Sequence, residues 1–212
     1  MHKLMLTVAG AGMLLTTAPV MAETMSGWGA GARLSSLGYG VEVTKSLTRQ
    51  LNARVGVNTF SHSDTRTEGD ITYDADLSLR NANLLLDWHP FENGFRMSLG
   101  YLLSNNELDL ESQSTGTVTV GNSEYELDGG YVNGTAEMGG GAYVGLGYSR
   151  AGRSGWSFTA DLGVVMQGSP DVSLTSNVVG DEDLRAEERE LESDLDEFDR
   201  YPVVGIGISY GF

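Results

Sequence analysis

Ser61-His62-Ser63-Asp64 sets a hydroxyl, an imidazole and a carboxylate within four residues, the side-chain types of nucleophilic acyl transfer. Triad partners normally converge from separate segments, so this run is read as a polar stretch and no catalytic residue is assigned. His2 falls in the N-terminal leader, while His62 and His89 fall in different connections on opposite sides of the fold read below. The acidic clusters Asp181–Asp183 and Asp194–Asp199 lack the ligand spacing of an EF-hand. No metal and no cofactor is expected. What remains is electrostatic chemistry, in two places. Arg33, Glu42, Arg54, Asp87, Arg96 and Asp161 stand isolated among small and polar residues, and eleven carboxylates crowd the stretch Asp181–Arg200.

The isolated charges are placed by strands. In the C-terminal segment, Val204, Ile206, Ile208, Tyr210 and Phe212 alternate with Val203, Gly205, Gly207, Ser209 and Gly211. One face is greasy and tipped with aromatics; the other is almost bare. That pattern suits a strand with lipid on one side and a narrow lumen on the other. Seven further segments alternate in the same way: Trp28–Ser35, Tyr39–Thr44, Leu51–Asn58, Asn81–Trp88, Phe95–Ser104, Gly141–Ser149 and Trp156–Gln167. The expected fold is therefore all-β, an eight-stranded antiparallel transmembrane barrel. On the small face, all six isolated charges point into the lumen. They form either a salt-bridged filling of a bore barely wider than its side chains or a charge-lined path for a small solute.

Short connections at Leu47–Gln50, His89–Gly94 and Arg150–Gly155 alternate with long ones at Ser61–Ile71, Glu111–Met138 and Gly168–Arg200. Barrels of this class keep short turns on the periplasmic side and long loops outside. Trp28, Trp88, Phe95, Tyr148, Trp156 and Phe212 sit near strand ends, where interface girdles lie. Thr117–Val120 and Glu124–Leu127 flank Gly121-Asn122-Ser123 and predict a hairpin within the middle long loop. In the last long loop, Leu184, Leu191, Leu195 and Phe198 share a stripe at helical spacing, which predicts a short acidic helix over Asp181–Arg200. Its remaining faces carry Glu187, Glu188, Glu190 and Glu192. This is either a solvated acidic helix resting on the barrel mouth or a vestibule that attracts cations.

Residues 1–22 are laid out as a secretory signal: a basic start at His2 and Lys3, an apolar run Leu4–Leu15, and a small-residue cleavage site ending at Ala22. The barrel domain then spans 23–212 and belongs in the outer membrane of a Gram-negative bacterium. Cysteine is absent, glycine abundant (29) and proline scarce (4), as close-packed strands with tight turns require. A net charge of −16 argues against nucleic acid as a partner and favours cationic solutes. Gly207, Tyr210 and Phe212 resemble the terminal signal read by the barrel assembly machinery. Outer-membrane lipid and lipopolysaccharide are the remaining expected partners.

Ala142-Tyr-Val-Gly-Leu-Gly-Tyr148, then Gly168-Ser-Pro-Asp-Val-Ser-Leu-Thr175, then a Glu-rich helix running into Tyr201-Pro-Val-Val-Gly-Ile-Gly207 carry a family likeness. Together they resemble the ornithine-uptake (carbapenem-resistance-associated) outer-membrane porin family and, more loosely, OmpW-like barrels. The resemblance is specific over about residues 140–212. It implies an eight-stranded barrel and passage of small basic amino acids, and it assigns no ligand residue. The expected function is a narrow porin-like channel for small, preferentially cationic solutes, the alternative a non-conducting structural or surface-interaction barrel with a salt-bridged lumen.

Overall fold

A computed structural model describes residues 27–68, 71–91, 93–112, 117–120, 123–127, 129–150, 154–195 and 199–212. The expected signal segment 1–22 lies outside them. Eight strands close into an antiparallel barrel. They are β1 (Trp28–Ser35), β2 (Gly38–Ser46), β3 (Leu51–Glu68), β4 (Ile71–Trp88), β5 (Phe95–Ser104), β10 (Gly141–Tyr148), β11 (Gly155–Met166) and β13 (Arg200–Gly211). Each pairs with its neighbour in chain order among these eight. The seam closes where β13 pairs with β1, Gly29 opposite Gly211 and Leu34 opposite Ile206.

The barrel is inside out relative to a water-soluble sheet. Phe158 is 79% exposed while Arg54 is 0% exposed, and Leu84, Leu99, Leu103, Leu162 and Ile206 all face outward. Water would penalise such a wall heavily; hydrocarbon does not. At the end where the chain terminates, Trp156 packs edge-on against Tyr210 with ring centroids 5.2 Å apart. Lys45 lies 4.8 Å over the Trp28 ring. An aromatic girdle with a snorkelling cation is what a membrane interface selects. No described helix is long and apolar enough to cross a membrane.

At the other end the wall does not dissolve into loops. Ser61–Ile71 is not the irregular connection expected from the sequence: β3 and β4 continue as one hairpin, paired from Leu51↔Trp88 to Glu68↔Ile71. β4 changes partner on the way, pairing with β5 from Asn81 inward and with β6 (Asn106–Ser112) from Ser78 outward. β6 pairs with β9 (Val132–Met138), and β9 with β12 (Asp171–Ser176), so the two other long connections also hold strands. The predicted small hairpin is present one residue displaced, as β7 (Thr117–Val120) and β8 (Ser123–Glu126). Their apolar alternation is short, as at Leu108 and Leu110 or Val172 and Leu174, so backbone pairing rather than a long apolar face marks them as strands.

The helix α1 runs from Asp181 to Leu195, and Phe198, expected on its stripe, lies outside the described residues. The stripe rests on β12 and the β7–β8 hairpin rather than on the barrel mouth. Leu184 packs with Val120 and Val179, flanked by Tyr125, Val132 and Leu174. Tyr125 donates a 2.7 Å hydrogen bond to Asp183, and that bond holds its hydroxyl above the ordinary tyrosine range. Two of the four glutamates assigned to the free acidic face are in fact docked. Glu188 accepts from the Leu174 N–H at 2.7 Å and Glu192 from the Val172 N–H at 3.3 Å. They lie four residues apart on the helix, matching two N–H groups two residues apart on the strand edge.

An open strand edge invites pairing with other chains, and these carboxylates occupy it. Replacing both Glu188 and Glu192 by Ala keeps helix propensity but frees the two donors. Hydrogen exchange at the Val172 and Leu174 amides should then accelerate about tenfold, the factor that 1.4 kcal/mol represents. Wild-type exchange rates at both amides would show that the helix does not guard this edge.

Candidate functional site: a charged tier across the lumen

Each of the six isolated charges comes from a different strand or a different level, and alternation turns all of them inward. Arg33, Glu42, Arg54, Asp87, Arg96 and Asp161 are buried, none more than 7% exposed. Arg54 is the hub. Its Nη2 donates to Asp87 Oδ1 at 3.0 Å, and its Nε makes a 2.9 Å ion pair with Oδ2 that lacks the alignment of a hydrogen bond. Its Nη1 reaches Glu42 at 3.3 Å and Asp161 at 3.5 Å. Arg96 holds Asp161 at 2.7 Å, and Arg33 bridges Glu42 at 3.4 Å and Asp161 at 3.7 Å. Three cations and three anions form one connected, neutral layer.

The bare face of the wall explains how long side chains fit there. A β-carbon on Gly205 would stand 2.9 Å from Arg33 Nη2. One on Gly147 would stand 2.9 Å from Asp161 Oδ1 and 3.0 Å from Arg96 Nε. These glycines let the guanidinium groups lie flat against backbone. Ser98 is the member that charge alone does not reveal: its hydroxyl donates to Asp87 at 2.6 Å and accepts from Arg54 at 3.4 Å. Its only sequence signal is its place on the small face of β5.

A second tier closes the bore on the side away from the termini. Leu37, Leu85, Leu102, Tyr143, Val165 and Val203 form one apolar cluster inside the barrel, with Tyr201 against it. Leu37 belongs to the two-residue turn between β1 and β2. That turn is fastened to β13: the Tyr201 hydroxyl donates to the Ser36 carbonyl at 2.6 Å, and the Ser36 hydroxyl to the Pro202 carbonyl at 2.9 Å. Gly163 makes room for Tyr143, whose Oη would lie 2.5 Å from an added β-carbon. The ionic layer thus lies beneath an apolar one along the barrel axis.

The remaining assigned residues lie elsewhere. Ser61, His62, Ser63 and Asp64 alternate along the outer half of β3, with Ser63 bonded to Asp76 across the hairpin, so they do not converge. Glu190 is exposed and Glu187 half-buried on α1, far in sequence and element from the lumen charges. Gly207, Tyr210 and Phe212 sit at the seam, where the Phe212 N–H donates to the Trp28 carbonyl at 2.9 Å.

No family model and no curated protein matches the chain. Solved structures do, two of them outer-membrane barrels of one organism. CarO of Acinetobacter baumannii is 24% identical, with a TM-score of 0.59 over 87% of this chain and 97% of that one. CarO2 of the same organism is 21% identical, with a TM-score of 0.60 over 87% and 98%. The likeness spans nearly the whole of both neighbours and points the same way as the motifs of residues 142–207. At these identities it speaks for architecture: the chain has the closed eight-stranded barrel fold of CarO and CarO2.

Proposed function

We propose that this chain is an outer-membrane barrel whose lumen is held shut by ion pairs and which serves as a surface-presenting structural protein. It is exported on residues 1–22, cleaved after Ala22, delivered by the barrel assembly machinery, and set among lipopolysaccharide. The observation that carries this reading is the six-charge tier with Arg54 fully buried at its centre. An eight-stranded bore is only just wide enough for side chains. Filling it with paired charges under an apolar cluster removes the water column that conduction needs. The part left to act is the outer sheet of β3, β4, β6, β9 and β12 with its helix. In planar bilayers the purified protein should show no unitary current steps at any voltage, and sustained steps that scale with protein would overturn the closed reading.

One observation favours a second reading, a narrow path for small cationic solutes such as basic amino acids. The chain carries −16 overall, and the first turn of α1 is wholly acidic on the outer side of the barrel. Carboxylates near a low-dielectric mouth concentrate cations within the ~8–10 Å that physiological salt leaves unscreened. Flux into liposomes decides it. Ornithine, lysine or arginine entering faster than glutamate, with the preference reduced by Glu187→Gln with Glu190→Gln and by added salt, would establish the path. Equal entry of both signs would remove the steering role.

A further inference from the structure

The outer wall of the barrel carries a groove of about 460 Å³ across three adjacent strands, lined by residues 57–59 of β3, 80–82 of β4 and 103–105 around the end of β5. Register explains the dent. Val57 stands opposite Ala82, and Ala82 opposite Leu103, so one methyl sits between two large side chains on the lipid-facing side. Val57 is 52% and Leu103 65% exposed. One step further from the termini, Arg80 stands opposite Thr59 in the register, with Asn105 beside it. All three are exposed. The Asn105 N–H donates to the Arg80 carbonyl at 2.9 Å, and the Arg80 N–H to Asn106 Oδ1 at 3.0 Å, which fixes the backbone of that rim. Among the described residues no carboxylate pairs with the Arg80 guanidinium, although the chain as a whole is strongly acidic. This cation stands where the apolar wall gives way to polar residues, in position to meet an external counter-charge.

We infer that this groove binds one phosphorylated, multiply acylated glycolipid of the outer leaflet, an acyl chain lying over Ala82 and a phosphate on Arg80. A guanidinium presents a fork of N–H donors that matches phosphate geometry. The Thr59 hydroxyl and the Asn105 amide supply neutral donors on either side. Apolar length below and a cation above match the two ends of such a lipid and do not match a neutral one. The overall negative charge repels anionic surfaces at large, so the attraction is local to this rim. The inference rests on the outer-membrane placement proposed above, but not on whether the lumen conducts.

The probe is diphosphorylated lipid A, titrated into the full-length mature protein in a neutral detergent, with bound copies counted by native mass spectrometry. Wild type should retain one copy more tightly than the rest. Arg80→Gln, which keeps the dent, and Ala82→Leu, which fills it, should each weaken that copy about tenfold, as should removal of the lipid's phosphates. Neither variant should alter the unfolding midpoint without lipid, which separates lost binding from lost folding. Equal affinity for wild type and both variants would reduce the lipid to a non-specific annulus and overturn the site. Equal affinity for phosphatidylglycerol would also overturn the glycolipid assignment. So would a change in the dimer fraction with Ala82→Leu at unchanged lipid binding, since a second copy would then occupy the groove. Bilayer conductance does not enter any of these outcomes, so the groove and the closed lumen can fail separately.

Discussion

Arg54→Ala should lower the unfolding free energy of the barrel by about 3–5 kcal/mol, the usual result of removing one partner from a fully buried charge network. The guanidinium is the contact shared by Glu42, Asp87 and Asp161, and it also bonds Ser98. Its loss turns a neutral layer into one with two cations against three anions in a space with little water. Arg33→Ala should cost less, because its two contacts are longer, 3.4 and 3.7 Å. Asp87→Ala added to Arg54→Ala should recover part of the loss, since it restores neutrality and removes the carboxylate that Arg54 clasped. Urea unfolding from lipid vesicles, followed by heat-modifiable gel mobility, measures all of these. A change below about 0.5 kcal/mol for Arg54→Ala would mean that lumen water replaces the guanidinium at no cost, and the plug would no longer explain closure.

Deleting Phe212 should remove most of the protein from the outer membrane. The residue is 39% exposed on the lipid side, so it contributes little to packing inside the barrel. Its backbone N–H ties the last strand to Trp28, and β13 is paired on both flanks, with β1 and β11. The closing strand is thus the one whose recognition and registration complete the wall. We expect the truncated chain to accumulate in the periplasm, degraded or aggregated, and Phe212→Trp to assemble normally because the aromatic is kept. Tyr210→Ala should be intermediate, as Trp156 still covers the neighbouring interface. Membrane fractionation with a folded-to-unfolded gel shift decides between these outcomes. Normal outer-membrane levels of folded Phe212-deleted protein would show that Gly207, Tyr210 and Phe212 are not the assembly signal.

The terminal strand announces itself because a greasy face and a bare face alternate without interruption from Val203 to Phe212. The same rule finds all eight wall strands and turns the six charges inward, because alternation is a local property of a strand between lipid and lumen. It fails above the membrane. Ser61–Asp64 carries no apolar side chain, and the alternation of Leu108 and Leu110 in Asn106–Ser112 spans only two positions, so neither segment stands out as a strand.

The residues themselves determined the barrel strands, the identity of the luminal charges and the acidic helix, since each follows from spacing within one segment. Only the tertiary structure decided which charge holds which. Pairing depends on the stagger of eight strands, and a one-residue slip would turn Arg54 out to lipid. Tertiary structure alone also turned Glu188 and Glu192 from a free acidic face into guards of the β12 edge, and put Ala82 between Val57 and Leu103. Contacts of that kind join segments distant along the chain, and nothing in either segment by itself carries the distance between them.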